Sequence, residues 1–98
     1  GQGETVWAVY YGYWPEDEFT QDDYDFAIGV GTVQFGFKFY GIFDLRCDQG
    51  AYELLGLDSS VNYVAVAAYF ATEDDAILAS HFEMETYPHG QIEVYCAD

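Results

Sequence analysis

The chain has 98 residues, with 18 Asp and Glu against two Lys and Arg, so its formal charge at neutral pH is -16. That balance excludes a direct nucleic-acid binder, which must neutralise a run of phosphates, and argues against docking on anionic lipid, which takes Lys/Arg clusters. Disorder is excluded too, because 51% of the residues are hydrophobic and 20% aromatic, whereas acidic disordered chains are poor in aromatic and β-branched residues.

The length fits one domain, 1–98. The opening Gly1-Gln2-Gly3 fits a processed mature protein. Thr5 to Trp14 (TVWAVYYGYW) is aromatic and β-branched, and reads as a strand. Plain alternation puts Thr5, Trp7, Val9, Tyr11 and Tyr13 on one face and Val6, Ala8, Tyr10, Gly12 and Trp14 on the other. Both faces are apolar, so the strand is either central in its own sheet or covered by a second surface. The same pattern suits a strand that completes a neighbour's sheet, with Trp7, Val9, Tyr10, Tyr11, Tyr13 and Trp14 as the assembly interface. Pro15 ends the run. Residues 15–25 then read as an exposed acidic connection, anchored by Phe19 and Tyr24.

Phe26 to Phe43 carries the most regular strand alternation. Val33, Phe35 and Phe37 share one face, continued by Phe39, and Thr32, Gln34, Gly36 and Lys38 share the other. Asp48-Gln49-Gly50 reads as a turn, and Ala51 to Leu57 as one helical turn or a short strand. Val61 to Ala71 (VNYVAVAAYFA) is a second doubly apolar run, hence a second internal strand, whose alanines leave room for large neighbours. At Thr72-Glu73-Asp74-Asp75 two readings compete. Thr72 with Asp75 three residues on resembles a helix N-cap, yet Glu83 and Glu85 would sit at the wrong end of such a helix. The favoured reading is a hairpin over 73–86, with Leu78, Ser80, Phe82 and Met84 alternating. Pro88-His89-Gly90 is a turn, and Ile92, Val94 and Cys96 face inward on a last strand. The sum is a mainly β protein, an antiparallel sandwich or small barrel of five or six strands with at most one or two short helices. An α+β sheet is the alternative.

No motif points to catalysis. Ser80 and His81 are adjacent and fall on opposite faces of a strand, and His89 sits in a Pro-Gly turn, so neither builds a hydrolytic triad. The expectation is a protein that is not an enzyme. The longest stretch without a charge, Ser59 to Thr72, has fourteen residues, short of the roughly 20 that a spanning helix needs. Cys47 and Cys96 lack zinc-site or CxxC spacing and read as one disulfide. In the chain-entropy model such a bridge contributes roughly 4 kcal/mol, and it points to an oxidising, extracellular or cell-surface setting. The carboxylates of Glu16, Asp17, Asp22, Asp23 and Asp25 suit Ca²⁺, although the run lacks the EF-hand pattern; no other cofactor is suggested.

Three functions are compatible with these features. The first is a secreted structural subunit that assembles with copies of itself by addition of the strand 5–14. The second is an acidic inhibitor or nucleic-acid mimic that binds a basic protein such as a nuclease or polymerase, guided by the charge. The third is a calcium-dependent surface or adhesion module.

Overall fold

The long doubly apolar run forms β1, Glu4–Pro15, the middle strand of the molecule. The computed structural model describes residues 3–35, 41–82 and 84–96, with side chains for all of these except 30–35 and 41. Around β1 the chain lays down α1 (Gln21–Phe35), β2 (Gly41–Asp44), β3 (Asp48–Gln49), α2 (Ala51–Leu55), β4 (Tyr63–Phe70), α3 (Glu73–Ala79), a short hairpin of β5 (His81–Phe82) and β6 (Glu85–Thr86), and β7 (His89–Val94). Two 3-10 turns, Glu16–Glu18 and Leu45–Cys47, link them. Five strands form one antiparallel sheet in the order β2-β4-β1-β7-β3.

The protein is mainly β and antiparallel, as the sequence predicts, and its two internal runs are internal strands. β1 pairs with β4 from Trp7↔Phe70 to Pro15↔Tyr63, and with β7 from Glu4↔Val94 to Val9↔His89. Over these spans its edges are occupied by its own chain, the β7 edge as far as Val9 and the β4 edge from Trp7 on. What covers the sheet is helical: α1 and α3 lie on one face, and the 45–47 turn with α2 lies on the other. The buried set on the first face is Val9, Tyr11, Ala27, Val66, Ala68, Ala76 and Ala79; on the second it is Ala8, Tyr10, Leu45, Ala51, Ala65, Ala67 and Ile92.

Plain alternation fails at one point of β1. The register slips between Tyr10 and Gly12, so that Tyr11 and Gly12 together oppose Val66. Beyond this bulge the faces exchange: Trp14 joins Val9 and Tyr11 on the α1 side, and Tyr13 joins Tyr10 on the α2 side. A Cβ at Gly12 would overlap the Trp14 ring, so the glycine is what lets the indole fold back across the strand.

The larger correction is α1. Residues 21–35 form a helix where the sequence suggests the end of a loop and a strand with Val33 and Phe35 on one face; Phe37 and Phe39, which would continue that strand, lie outside the described residues. The helix is started by a reciprocal cap. The Thr20 hydroxyl accepts from the Asp23 amide at 3.2 Å, and Asp23 Oδ2 accepts from the Thr20 amide at 3.1 Å, which satisfies two donors that a helix start otherwise leaves open. Asp22 and Asp23 in its first turn also complement the helix dipole. Between Thr72 and Thr86 the favoured hairpin gives way to the competing helix: residues 73–79 are helical, so Leu78 and Ser80 do not alternate on a strand. Thr72 Oγ1 accepts from the Asp75 amide at 3.2 Å and caps α3, and a hairpin of two residues per strand follows. His89 opens β7, with its side chain half-buried, and does not sit in a solvated turn.

Candidate functional site

Of the six residues predicted as an assembly interface, Val9, Tyr10 and Tyr11 are buried inside the domain, and Trp7, Tyr13 and Trp14 pack against its two cores. The Tyr11 hydroxyl donates to the Ala79 carbonyl at 2.8 Å, which ties β1 to the end of α3. Trp14 packs against Phe19 with ring centroids 5.0 Å apart and the rings tilted by 51°, which fastens the start of the acidic connection to the sheet.

Two of the acidic clusters lie at or near the starts of α1 and α3. Glu16, Asp17 and Glu18 form an exposed 3-10 turn at the end of the sheet where β1 finishes, and Asp22 and Asp25 are exposed on the first turns of α1. Asp23 is turned back to Thr20, and Asp25 accepts from Gln21 Nε2 at 2.9 Å. Successive residues of a helical turn radiate in different directions. Among the described residues no three His, Cys, Asp or Glu side chains come together in a way that could hold a metal ion, so Glu16, Asp17, Asp22, Asp23 and Asp25 are not gathered into a calcium site. Glu73, Asp74 and Asp75 are exposed on the first turn of α3, at the opposite end of β4. The same helices also expose large apolar side chains: Phe26 on α1 is 60% exposed and Leu78 on α3 is 74% exposed. One of the chain's two cations, Arg46, is engaged locally by the Asn62 side chain and the Ser59 and Val61 carbonyls, and lies over the Tyr52 ring.

A second constellation lies on the other face, and sequence reasoning missed it. Cys47 and Cys96 are joined as predicted, with their Cα atoms 4.9 Å apart, and the bridge ties the start of β3 to the chain just beyond β7. Next to it Asp48 is buried, only 3% exposed. Its Oδ2 accepts from the Tyr10 hydroxyl and from the Tyr69 hydroxyl, each at 2.8 Å. Its Oδ1 is buried with no hydrogen-bond partner among the described residues. Burial pushes the Asp48 carboxyl above its ordinary value, against the two tyrosine hydrogen bonds that pull it down. Burial also raises the Tyr10 and Tyr69 hydroxyls, and the neighbouring Asp48 charge adds to it. Asp48 and Tyr69 form part of the wall of a pocket of about 420 Å³, together with Glu4, Val6, Phe43 and Val94 and the two half-cystines. The three polar partners stand 38 and 21 residues apart, on β1, β3 and β4, so no local spacing in the sequence announces them.

The Ser80 hydroxyl is buried and donates to the Ile77 carbonyl at 2.6 Å, whereas His81 is exposed beside Thr86. Among the described residues no helix is long and apolar enough to cross a membrane. Compared with family models, curated proteins and solved structures, the chain matches none of them.

Proposed function

We propose that this is a non-catalytic acidic protein of the extracellular space or cell surface that binds a basic protein through the outer side of α1 and α3. One observation carries the reading: the helices covering one face of the sheet turn carboxylates and large apolar side chains outward together, Asp22 and Asp25 with Phe26, and Glu73 to Asp75 with Leu78. Interfaces between proteins combine these parts, with apolar anchors at the centre for affinity and a charged rim for steering and specificity. With 18 carboxylates against two Lys and Arg, the partner that fits such a surface is cationic, and a nucleic-acid-binding enzyme such as a nuclease or polymerase presents that charge. The disulfide supports an oxidising location. Strand addition by residues 5–14 is the weaker reading, because β1 would first have to leave both β4 and β7.

The test is association kinetics with a panel of basic nucleases and polymerases over a range of salt. The expected partner associates fast at low salt and more slowly as salt rises. Glu16→Gln, Asp17→Asn and Asp22→Asn together lower the on-rate and flatten its salt dependence, while Phe26→Ser mainly speeds dissociation. These substitutions leave the Thr20–Asp23 cap intact. If no member of the panel responds to either change, the surface is not the interface.

A further inference from the structure

We infer that the end of the sheet left open by α1 and α3 binds a neutral saccharide. Its hydroxyls pair with Thr5, Gln49, Gln91 and Glu93, and its apolar ring face lies on Tyr95. The inference is independent of the protein partner proposed above, since none of these residues belongs to α1 or α3.

Register places these side chains together. On β1 and β7, Val6, Ile92 and Val94 pack against the α2 core and Trp7 against the α1 core. The alternate residues Thr5, Gln91 and Glu93 therefore stand on the α1 side. Gln49 on β3 pairs with Glu93, and Glu93 pairs with Thr5, which sets three polar residues in one row across three strands. The next row holds Gln91 and its partner Trp7, and there the helical cover begins. Past the other end of the row Tyr95 is 42% exposed, and its hydroxyl donates to Glu93 Oε2 at 3.4 Å, which keeps the ring on the same side. Thr5, Gln49 and Gln91 are exposed. With Glu93 they line a depression of about 420 Å³, within the range of small-molecule sites.

The chemistry of the row selects the ligand. The side chains of Thr5, Gln49 and Gln91 make no hydrogen bond among the described residues. Amides and hydroxyls both donate and accept, and a carboxylate only accepts, so the matching ligand offers donors and acceptors close together. Paired strand residues stand about 5 Å apart and alternate residues of one strand about 7 Å, spacings over which the hydroxyls of a pyranose ring are spread. Among the described residues no Lys or Arg lines the depression, and a net charge of -16 repels anions, so a phosphorylated or carboxylated sugar does not fit. A simple cation would engage Glu93 and leave three neutral groups unused. An apolar ligand would cover polar groups without pairing them, which is costly. Tyr95 supplies the apolar surface that the C–H face of a sugar needs.

The experiment is a titration of the oxidised full chain with cellohexaose, maltohexaose and mannohexaose, followed by backbone and side-chain amide NMR shifts. Sorbitol, an open-chain polyol without a ring face, and trigalacturonic acid, an anionic sugar, are titrated separately. The expected result is saturable one-site binding of at least one hexaose by about 10 mM, in keeping with a shallow site. Shifts should centre on Thr5, Gln49, Gln91, Glu93 and Tyr95 and on the side-chain amides of the two glutamines. Sorbitol and trigalacturonic acid should bind at least about tenfold more weakly, the first for want of the ring contact and the second through charge repulsion. Tyr95→Ala should weaken the hexaose about tenfold and Gln91→Ala about fivefold. The hexaose-to-sorbitol ratio is read on the unaltered protein, so the test stands even if a variant fails to fold. Equal response to hexaose and sorbitol, binding untouched by both substitutions, shifts centred elsewhere, or no saturable binding of any hexaose would each overturn the inference.

Discussion

On the side of the sheet covered by α1 and α3, the helices approach through alanines, Ala27, Ala76 and Ala79, and the strands supply the rings, Trp7, Tyr11 and Trp14. On the other side the cover is much shorter, a 3-10 turn and the five residues of α2, and it is held by polar and covalent ties. There Cys47 is bonded to Cys96, Asp48 takes two tyrosine hydroxyls, and the Tyr52 hydroxyl donates to the Val61 carbonyl while accepting from the Tyr63 amide. A helix of fifteen residues can dock on shape alone and leave its outer side free for carboxylates. A five-residue helix buries too little to hold itself, so its neighbourhood is stapled.

The sharpest way to break this contrast is to remove the staple. Cys47→Ala with Cys96→Ala should lose about 2–5 kcal/mol of unfolding free energy, read from urea denaturation. The loss of exchange protection should be greatest at Asp48 to Leu55. Protection that fell equally in α1 would show that the two faces are not held by separate means.

On the helical face the sensitive property is size. Ala76 is fully buried against β1 and β4, so Ala76→Leu should cost about 1–3 kcal/mol by overpacking. It should also release the Tyr11 hydroxyl from Ala79, seen as a new tyrosine environment in fluorescence or NMR.

The polar tie at Asp48 should show a pH signature. The folded state raises the Asp48 carboxyl above its ordinary value. As pH climbs from about 4 through the raised value, the unfolded chain loses its proton first, the native state holds more protons, and stability falls. Asp48→Asn should make that fall shallower. Tyr69→Phe should cost about 1 kcal/mol and make the fall steeper, because one of the two hydrogen bonds lowering the Asp48 carboxyl is gone. Thermal midpoints across that pH range for the three proteins check the ordering.

The smallest effect is expected at the tip of the β5–β6 hairpin. Met84 is fully exposed with φ of 67°, a conformation that disfavours a side chain. Met84→Gly should therefore raise stability by up to about 1 kcal/mol, measured in the same urea assay.

These regions also differ in how far the sequence discloses them. β1 and β4 are legible because strands covered on both faces must be apolar on both, and Thr5–Trp14 and Val61–Ala71 are. The disulfide is legible because two cysteines without metal or redox spacing have few other uses. The helix α1 is hidden because its apolar residues, from Tyr24 through Ile28 to Phe35, do not fall on one stripe, and because Thr32 to Phe35 alternate as a strand would. The signal that identifies it is short: Thr20 and Asp23 form a capping box directly before an apolar run. The exchange of Tyr13 and Trp14 between faces is set by a bulge, which alternation cannot register. The Asp48 site is assembled from β1, β3 and β4 and leaves no local trace.

The central claim is that the outer side of α1 and α3 is the binding surface and that the disulfide face is not. It is tested most directly by mapping amide NMR shifts while the protein is titrated with the basic nuclease or polymerase that binds it best. The account predicts shifts and line broadening at residues 16–28 and 73–78, lost when salt is raised, with Val6, Asp48 and Val94 unmoved. A footprint centred on Val6, Asp48 and Val94 with 16–28 silent, or one spread evenly over every carboxylate, would contradict it.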